Sequence, residues 1–485
     1  MYKHGIEVEE RETSYTQPLA TRYGAQVIVG TAPVNLAEDM KAVINKPVKV
    51  SSWDEAVRKL GYSDDWGKYT LCQSMAASFR MFRVYPVIFI NVLDPKKHKK
   101  ENPAADYGVV NHQVILEEGI IKETLSVKEN ADGQEAERDK DYMLSYDDSG
   151  RMVITLLSGG TLYNSEKINV ASTSLDPTLV TEEDLIGAVN TETGEETGLE
   201  AVRQVYSRFG IVPALLAAPG WSHRPNIGAA MMGKCKELNG IYRCECVLDL
   251  NPEIRKYTEC KTAKDTAGYT DAHSIVLWPM VSYEGKTMYY SAVYAAMASY
   301  YTAINGDVPY IYPSNKLLGI SGATLKDGTE VVLDQPQAAE LNGAGIVTLI
   351  NDRGWKAWGN NTGAYPEVTD PKDRWIGCRR MFSFAANYFI LEYRSRLDSS
   401  MNRNTIDDIV NGFNIWGNSL VSQGRCAGLR MEYNREENPE EDLMEGRMKV
   451  RIYFAPYTPM EYILATEEFD TDTLKAAIAG EEAEA

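Results

Sequence analysis

A multidomain α+β protein is what this chain predicts. It has a mixed α/β core, an inserted all-β module, and a C-terminal α/β domain whose sheet is completed by extended N- and C-terminal arms. Three observations carry that prediction. Residues 21–94 alternate short apolar strands with amphipathic helices. From about residue 105 to 175 the pattern turns into short alternating strands separated by Asp-Gly and Asp-Ser-Gly turns. Strand and helix texture returns at about 181, and both chain ends read as isolated extended stretches. With 485 residues the chain has length for roughly two to four domains.

Residues 1–20 form the N-terminal arm: Ile6 and Val8 alternate with Glu7 and Glu9, and RETSYTQP runs on to Pro18. That is the pattern of a strand and not of a helix. AQVIVGTAP (25–33) is a buried strand ending in a Gly/Pro turn, and Pro47 to Val50 is a second short strand. Ser51 to Glu55 gives a helix start, with a Ser cap, early acids and an apolar stripe at Ala56, Val57 and Leu60. Residues 70–82 form an apolar-faced helix that feeds a strand over 87–93. The charged run DPKKHKKEN then leads into the inserted module, assigned to 95–180. Its strands, in VVNHQVIL, ETLSVKE, DYMLSYDDSG and RMVITLLSGG, are half polar, which leaves one face wet.

The α/β core, 21–94, resumes over 181–350. A helix near 196–209 precedes the strand IVPALLAAPG, a Gly/Ala-rich helix (226–238) precedes YRCECVLDL, and SIVLWPM is followed by an Ala/Tyr-rich helix at 291–304. Gly285-Lys286-Thr287 looks like the end of a phosphate-binding loop. Met280 stands where that loop requires glycine, so the segment reads as a hairpin turn. Gly343-Ala344-Gly345 lacks the third small position of a dinucleotide fingerprint and reads as tight backbone packing. The C-terminal domain, 351–456, holds a helical zone (379–397), a helix (405–423) and a strand (447–454) with Met448, Val450, Ile452 and Phe454 on one side. Residues 457–485 are the C-terminal arm, with one more extended stretch in TPMEYILA, and an acidic tail.

Composition narrows the function. A net charge of −19 argues against direct nucleic-acid binding, because phosphate needs a positive footprint. No apolar run approaches the ~18 residues of a membrane span, so no membrane insertion is expected. The first residues carry no apolar h-region, and the expectation is residence in a cytoplasm. Seven cysteines without CxxC pairs read as reduced thiols, and Cys235, Cys244, Cys246 and Cys260 lack zinc spacing. The five histidines are scattered, and Asp407-Asp408 and the acidic run 436–442 read as a solvated helix start and loop. No catalytic, cofactor or metal set is therefore expected.

Two signals point elsewhere. Arg374, Arg379, Arg380, Arg394, Arg396 and Arg403 cluster around one helical zone of an acidic chain. They are either surface charge with local acidic partners or a positive face that docks an acidic partner. The arms at the two ends either join the chain's own sheet or complete a sheet in a neighbouring subunit by β-augmentation.

Several segments, in order, resemble the contractile-tail sheath proteins of myophages, R-type bacteriocins and related injection machines. GIEVEERETSYTQP with QVIVGTAP looks like the family's arm and first strand, and NKPVKVSSWDEAVRKLGY its next strand and helix. IVPALLAAPGW, VYAAMASYYTAINGDVPYIYPSNKLLGISGA, RGWKAWGNNT and MEGRMKVRIYFAPYTPMEYILA are similar to later segments. The chain departs from the pattern at Asn361, where the family usually has Arg, at Lys356 and Ala357, and in the tail beyond Phe469, which has no counterpart. The resemblance implies a non-enzymatic subunit that polymerises as stacked hexameric rings around an inner tail tube and contracts to drive the tube through an envelope. It implies no cofactor, baseplate and tail terminator proteins as further partners, and a place in a virion or phage-tail-like particle assembled in the bacterial host cytoplasm. By position it gives inter-subunit arms at Ile6, Val8, Val450, Ile452, Tyr462 and Ile463. It also gives a candidate tube contact at Arg379, Arg380, Arg394, Arg396 and Arg403. The alternatives are a soluble α/β enzyme using 181–350 and a β-module-bearing surface adhesion protein.

Overall fold

Apolar runs buried on both faces build one central sheet. The computed structural model describes residues 19–479; Ile6 and Val8 lie outside the described residues. The strands are β1 (Gln26–Gly30), β2 (Pro47–Val50), β3 (Val87–Asn91), β4 (Leu215–Ala217), β5 (Glu245–Asp249), β6 (Ser274–Leu277), β7 (Ile346–Asn351) and β8 (Trp355–Trp358). They stand in the order β8-β7-β6-β5-β4-β1-β3-β2. The strands from β7 to β3 are parallel to one another, and β8 and β2 close the two edges antiparallel. β1, β3 and β5 are buried at every residue. Parallel strands with helices on both faces require this, and it explains their lack of polar alternation.

The helices follow local rules. In α1 (Trp53–Leu60) Ser52 accepts from the Glu55 amide at 3.2 Å, the Glu55 carboxylate accepts from the Ser51 amide at 2.7 Å, and Gly61 ends the helix at φ 73°. α2 (Pro225–Lys236) starts with Pro. α3 (Tyr290–Ile304) is apolar all round and lies within the main core. Residues 71–81 begin as an α-helix over Leu71–Met75 and widen to a π-helix over Ala76–Met81. The Gly285 segment is a hairpin turn, with Glu284 and Gly285 both at positive φ between Met280–Tyr283 and Lys286–Met288.

Strands between Lys99 and Leu175 make two three-stranded antiparallel sheets. One orders 113–118, 151–156 and 142–146; the other orders 99–108, 167–175 and 126–128. Val114, Leu116, Met152, Ile154, Ile168 and Val170 form a core of their own, separate from that of the central sheet.

The C-terminal unit packs α5 (Ile376–Tyr393) and α6 (Arg403–Ser422) on a two-stranded antiparallel sheet, Gly428–Glu432 with Arg451–Ala455. α4 (Gln335–Gly343) precedes β7 and is capped reciprocally by Asp334 and Gln337. Two expectations need correction here. The C-terminal domain does not start at 351, because β8 pairs with β7 and belongs to the central sheet. The last strand starts at Arg451 and not at 447: the Asn438 side chain takes both the amide and the carbonyl of Lys449, at 2.7 and 2.9 Å, and withdraws them from pairing. TPMEYILA forms no strand, and residues 456–470 run exposed without regular structure to a last helix, Thr471–Ala479.

Candidate assembly surfaces

Among the described residues the two-stranded sheet has one open edge. On the Gly428–Glu432 side, α6 covers the strand: the Asn414 side chain accepts from the Met431 amide at 2.7 Å and donates to its carbonyl at 3.0 Å. Gly417 lies so close that a Cβ there would meet the Leu429 carbonyl at 2.3 Å. Met431 is thus bonded away from its partner Ile452. By antiparallel alternation Ile452 and Phe454 then present backbone N–H and C=O groups to the free side. Arg451–Ala455 is exposed along most of its length. Val450 and Ile452, two of the arm residues expected from sequence, sit at or in this edge strand; Val450 packs on the C-terminal core and Ile452 is partly exposed.

The first described residues and the C-terminal arm each touch α5 of this unit, while Val84–Tyr85 beside β3 and Asn360 after β8 tie them to the central-sheet part as well. At the N-terminal root, Leu19–Ala20 pairs parallel with Val84–Tyr85. Asp307 then clamps the chain, accepting from the amides of Arg22 and Tyr23 at 2.9–3.1 Å and from the Thr21 hydroxyl. Tyr23 packs edge-on against Phe384 of α5, centroids 5.0 Å apart. At the C-terminal root, the Tyr312 hydroxyl donates to the Tyr457 carbonyl at 2.9 Å, and Asn360 donates to the Glu461 carboxylate at 3.0 Å. Beyond it Tyr462 and Ile463 are each 77% exposed, beside exposed Met460, Leu464 and Phe469.

The arginines expected to form one exposed face divide in two. Arg394, Arg396 and Arg403 are on the surface, but Arg379 and Arg380 are 5% and 2% exposed, which corrects their assignment to a docking face. Arg379 pairs with Asp373 at 2.8 Å. Arg380 donates to the Thr302 hydroxyl of α3 at 2.9 Å, and burial holds its pKa below the usual arginine range. Ser383, one turn on, donates to the buried Glu245 of β5 at 2.6 Å, and Asn387 exchanges two hydrogen bonds with the Arg243 backbone. Burial pushes the Glu245 carboxyl up, but His273, Ser383 and Arg379 outweigh it and hold the group below its ordinary value. Arg380, Ser383 and Asn387 thus form a polar stripe that rivets α5 to α3 and to the β5 end of the central sheet. Sequence reasoning missed its role; the signal was their i, i+3, i+7 spacing inside an otherwise apolar helix.

A second buried carboxylate lies at the end of β5. Asp249 accepts from the Ser291 amide and hydroxyl and from the Ser222 hydroxyl. Burial pushes its carboxyl up to about 6, against the pull of the serine bonds. The cleft beside it measures about 10 Å³, room for at most one water. Because the folded pKa lies above the unfolded value of about 3.9, the stability tied to this proton is full below about pH 4. It is lost as pH rises through about 6, roughly 3 kcal/mol by pH 8. Asp249→Asn should flatten the fall in melting midpoint between pH 5 and pH 8; an unchanged pH profile would refute the assignment. Among the described residues no group of three or more His, Cys, Asp or Glu could hold a metal, and no helix is long and apolar enough to cross a membrane.

No protein-family model matches the chain. It is 24% identical over 493 residues to the tail sheath protein of Burkholderia phage BcepMu, covering 98% of each chain. It is 24% identical over 290 residues to the tail sheath protein of Escherichia phage P2, covering 57% of this chain and 68% of that one. In fold it is similar to a chain of the anti-feeding prophage baseplate, with a TM-score of 0.58, 16% identity and coverage of 97% and 100%. A chain of the PVC sheath complex, an extracellular contractile injection system in its contracted state, gives a TM-score of 0.56 at 15% identity, with coverage of 98% and 99%.

Proposed function

We infer, from kinship with the tail sheath proteins along the whole chain, that this protein is a structural subunit of a contractile sheath. Copies of it stack as hexameric rings in a helix around an inner tail tube, between a baseplate and a tail terminator. On release they repack into a shorter, wider sheath and drive the tube through the target envelope. The inserted β module faces outward, and the particle, a virion tail or tail-like device, assembles in the bacterial host cytoplasm. The subunit performs no catalysis, because the energy sits in the assembly.

The observation that supports this reading is the Arg451–Ala455 edge, open among the described residues, with both arm roots in contact with α5 of the same unit. A two-stranded ribbon is marginal alone and gains stability from a third strand. An arm from a neighbouring copy supplies that strand by β-augmentation. Such a contact is heterologous and propagates instead of closing. Contraction further requires two packings separated by a barrier.

Deleting residues 1–18 tests the arm exchange. The Asp307 clamp on Thr21–Tyr23 stays in place, so the truncated chain should melt like the full one while forming no striated cylinders by negative-stain electron microscopy. Normal-length sheaths from that truncation would sink the exchange.

A further inference from the structure

Two buried thiols face each other where α2 meets β5. Cys235 lies in the last turn of α2, and Cys244 stands one residue before β5. Their Sγ atoms are 3.3 Å apart. The Cys244 amide also donates to the Cys235 carbonyl at 3.1 Å, which holds the two backbones side by side. A disulfide needs Sγ atoms about 2.05 Å apart on neighbouring backbones, so little more than ~1 Å of closure separates the pair from that geometry. Cys246, on the same face of the strand, also approaches Cys235, but its thiol donates to the His273 carbonyl at 3.5 Å. Cys260 faces the Lys256 carbonyl, and Cys378 the Tyr312 hydroxyl.

A short surface turn closes the pair off from water. Leu238 and Tyr242 bond reciprocally across it, at 2.8 and 2.9 Å, with Asn239 and Gly240 at positive φ and Ile241 exposed. Cys235 and Cys244 are 0% and 1% exposed, and burial holds the Cys235 thiol well above its ordinary pKa. Thiolate is therefore scarce at this site, and the pair reacts slowly, with an oxidant small enough to pass the turn.

We propose that Cys235 and Cys244 are a modification site, forming a disulfide when the folded subunit meets hydrogen peroxide. One thiolate attacks the peroxide, giving a sulfenic acid and hydroxide. The second sulfur then attacks the sulfenic sulfur, the S–S bond forms, and the oxygen leaves as water. Two thiols and one peroxide thus become one disulfide and two waters, with the peroxide taking both electrons. The bond lies beside the rivet of α5, since Arg243 exchanges hydrogen bonds with Asn387 and Glu245 accepts from Ser383. Oxidation fastens the end of α2 to the strand that holds the C-terminal unit. A reducing cytoplasm keeps the thiols free, and a released particle has no thiol pool to reverse the bond. That timing rests on the sheath reading; the bond itself does not.

The test treats the folded full chain with hydrogen peroxide under native conditions. The intact mass should fall by that of two hydrogens. After alkylation and trypsin, Cys235-Lys236 should appear joined to the segment Cys244–Arg255 through Cys244. Cys235→Ala and Cys244→Ala should each lose the link, and Cys246→Ala should keep it. The linked subunit should melt about 3 °C higher, a gain removed by dithiothreitol. Two free thiols after prolonged treatment, a link through Cys246, or sulfinic acid without a link would each overturn the assignment. An unchanged melting midpoint in protein shown by mass to be linked would overturn the fastening of α2. A link that forms in a chain that never polymerises would uphold this site and remove the sheath reading alone.

Discussion

Arg380→Glu is expected to unfold the subunit at ordinary temperature, while Arg396→Glu leaves its stability within about 0.5 kcal/mol of the parent. The two residues look alike in the sequence, yet one is interior and the other in water. Arg380 lies between α5 and α3, reaching the Thr302 hydroxyl and, at 3.5 Å, the Ala298 carbonyl. A carboxylate in its place would be buried within the field of Glu245, with no cation of its own. An uncompensated buried charge costs about 3–5 kcal/mol, a large fraction of the ~5–15 kcal/mol that holds a domain together. Arg380→Met separates charge from packing. One terminal nitrogen of Arg380 has no hydrogen-bond partner, and the Thr302 hydroxyl keeps its own bond to Ala298 at 2.8 Å. Replacing the guanidinium by an apolar group of similar length should therefore cost under about 2 kcal/mol. Denaturant titration of the monomer measures all three. A glutamate variant within about 1 kcal/mol of the parent would mean that the stripe on α5 is not a rivet.

This contrast shows how far the chain could be read without coordinates. β1, β3 and β6 were legible because short apolar runs beside Gly or Pro have few other places to go in a fold of this length. The module between Lys99 and Leu175 was legible because its alternation has the period of half-exposed strands. What stayed hidden depends on partners distant in sequence. Arg379 and Arg380 read as surface charge because their burial depends on Asp373, Thr302 and the neighbourhood of Glu245. Trp355–Trp358 read as the start of a new domain because its pairing with Ile346–Asn351 shows only in the register. The strand at 447 was read four residues too early because nothing local announces that Asn438 captures Lys449. Near the surface, the strand carrying Ile452 was legible from clean alternation, but its free edge was not, since that depends on α6 and Asn414 covering the other side of the ribbon.

Gly345→Ala should cost about 3 kcal/mol or more, whereas Gly343→Ala should be neutral or gain up to ~1 kcal/mol. Both glycines belong to one Gly-Ala-Gly triplet and would look interchangeable. Gly345 sits at φ 72°, where an L side chain is strained, and an added Cβ would lie 2.5 Å from the Tyr365 carbonyl and 2.7 Å from that of Thr362. Neither strain nor clash relaxes easily, because Lys264 holds the surrounding backbone. Its fully buried ammonium donates to the carbonyls of Ala344 and Tyr365 at 2.8 and 2.7 Å, bridging the turn before β7 to the loop after β8. Moving Tyr365 away from a new methyl would break one of those bonds in the interior, where an unpaired ammonium donor is expensive. Gly343, two residues earlier at the end of α4, has nothing within 4 Å of a Cβ and a helical backbone, so alanine there trims only the entropy of the unfolded chain. Equal losses from the two substitutions, measured as denaturation midpoints of the monomer, would refute the picture of Lys264 as a fixed strut. A loss confined to Gly345 would show that the triplet is a backbone packing site whose second glycine alone is obligatory.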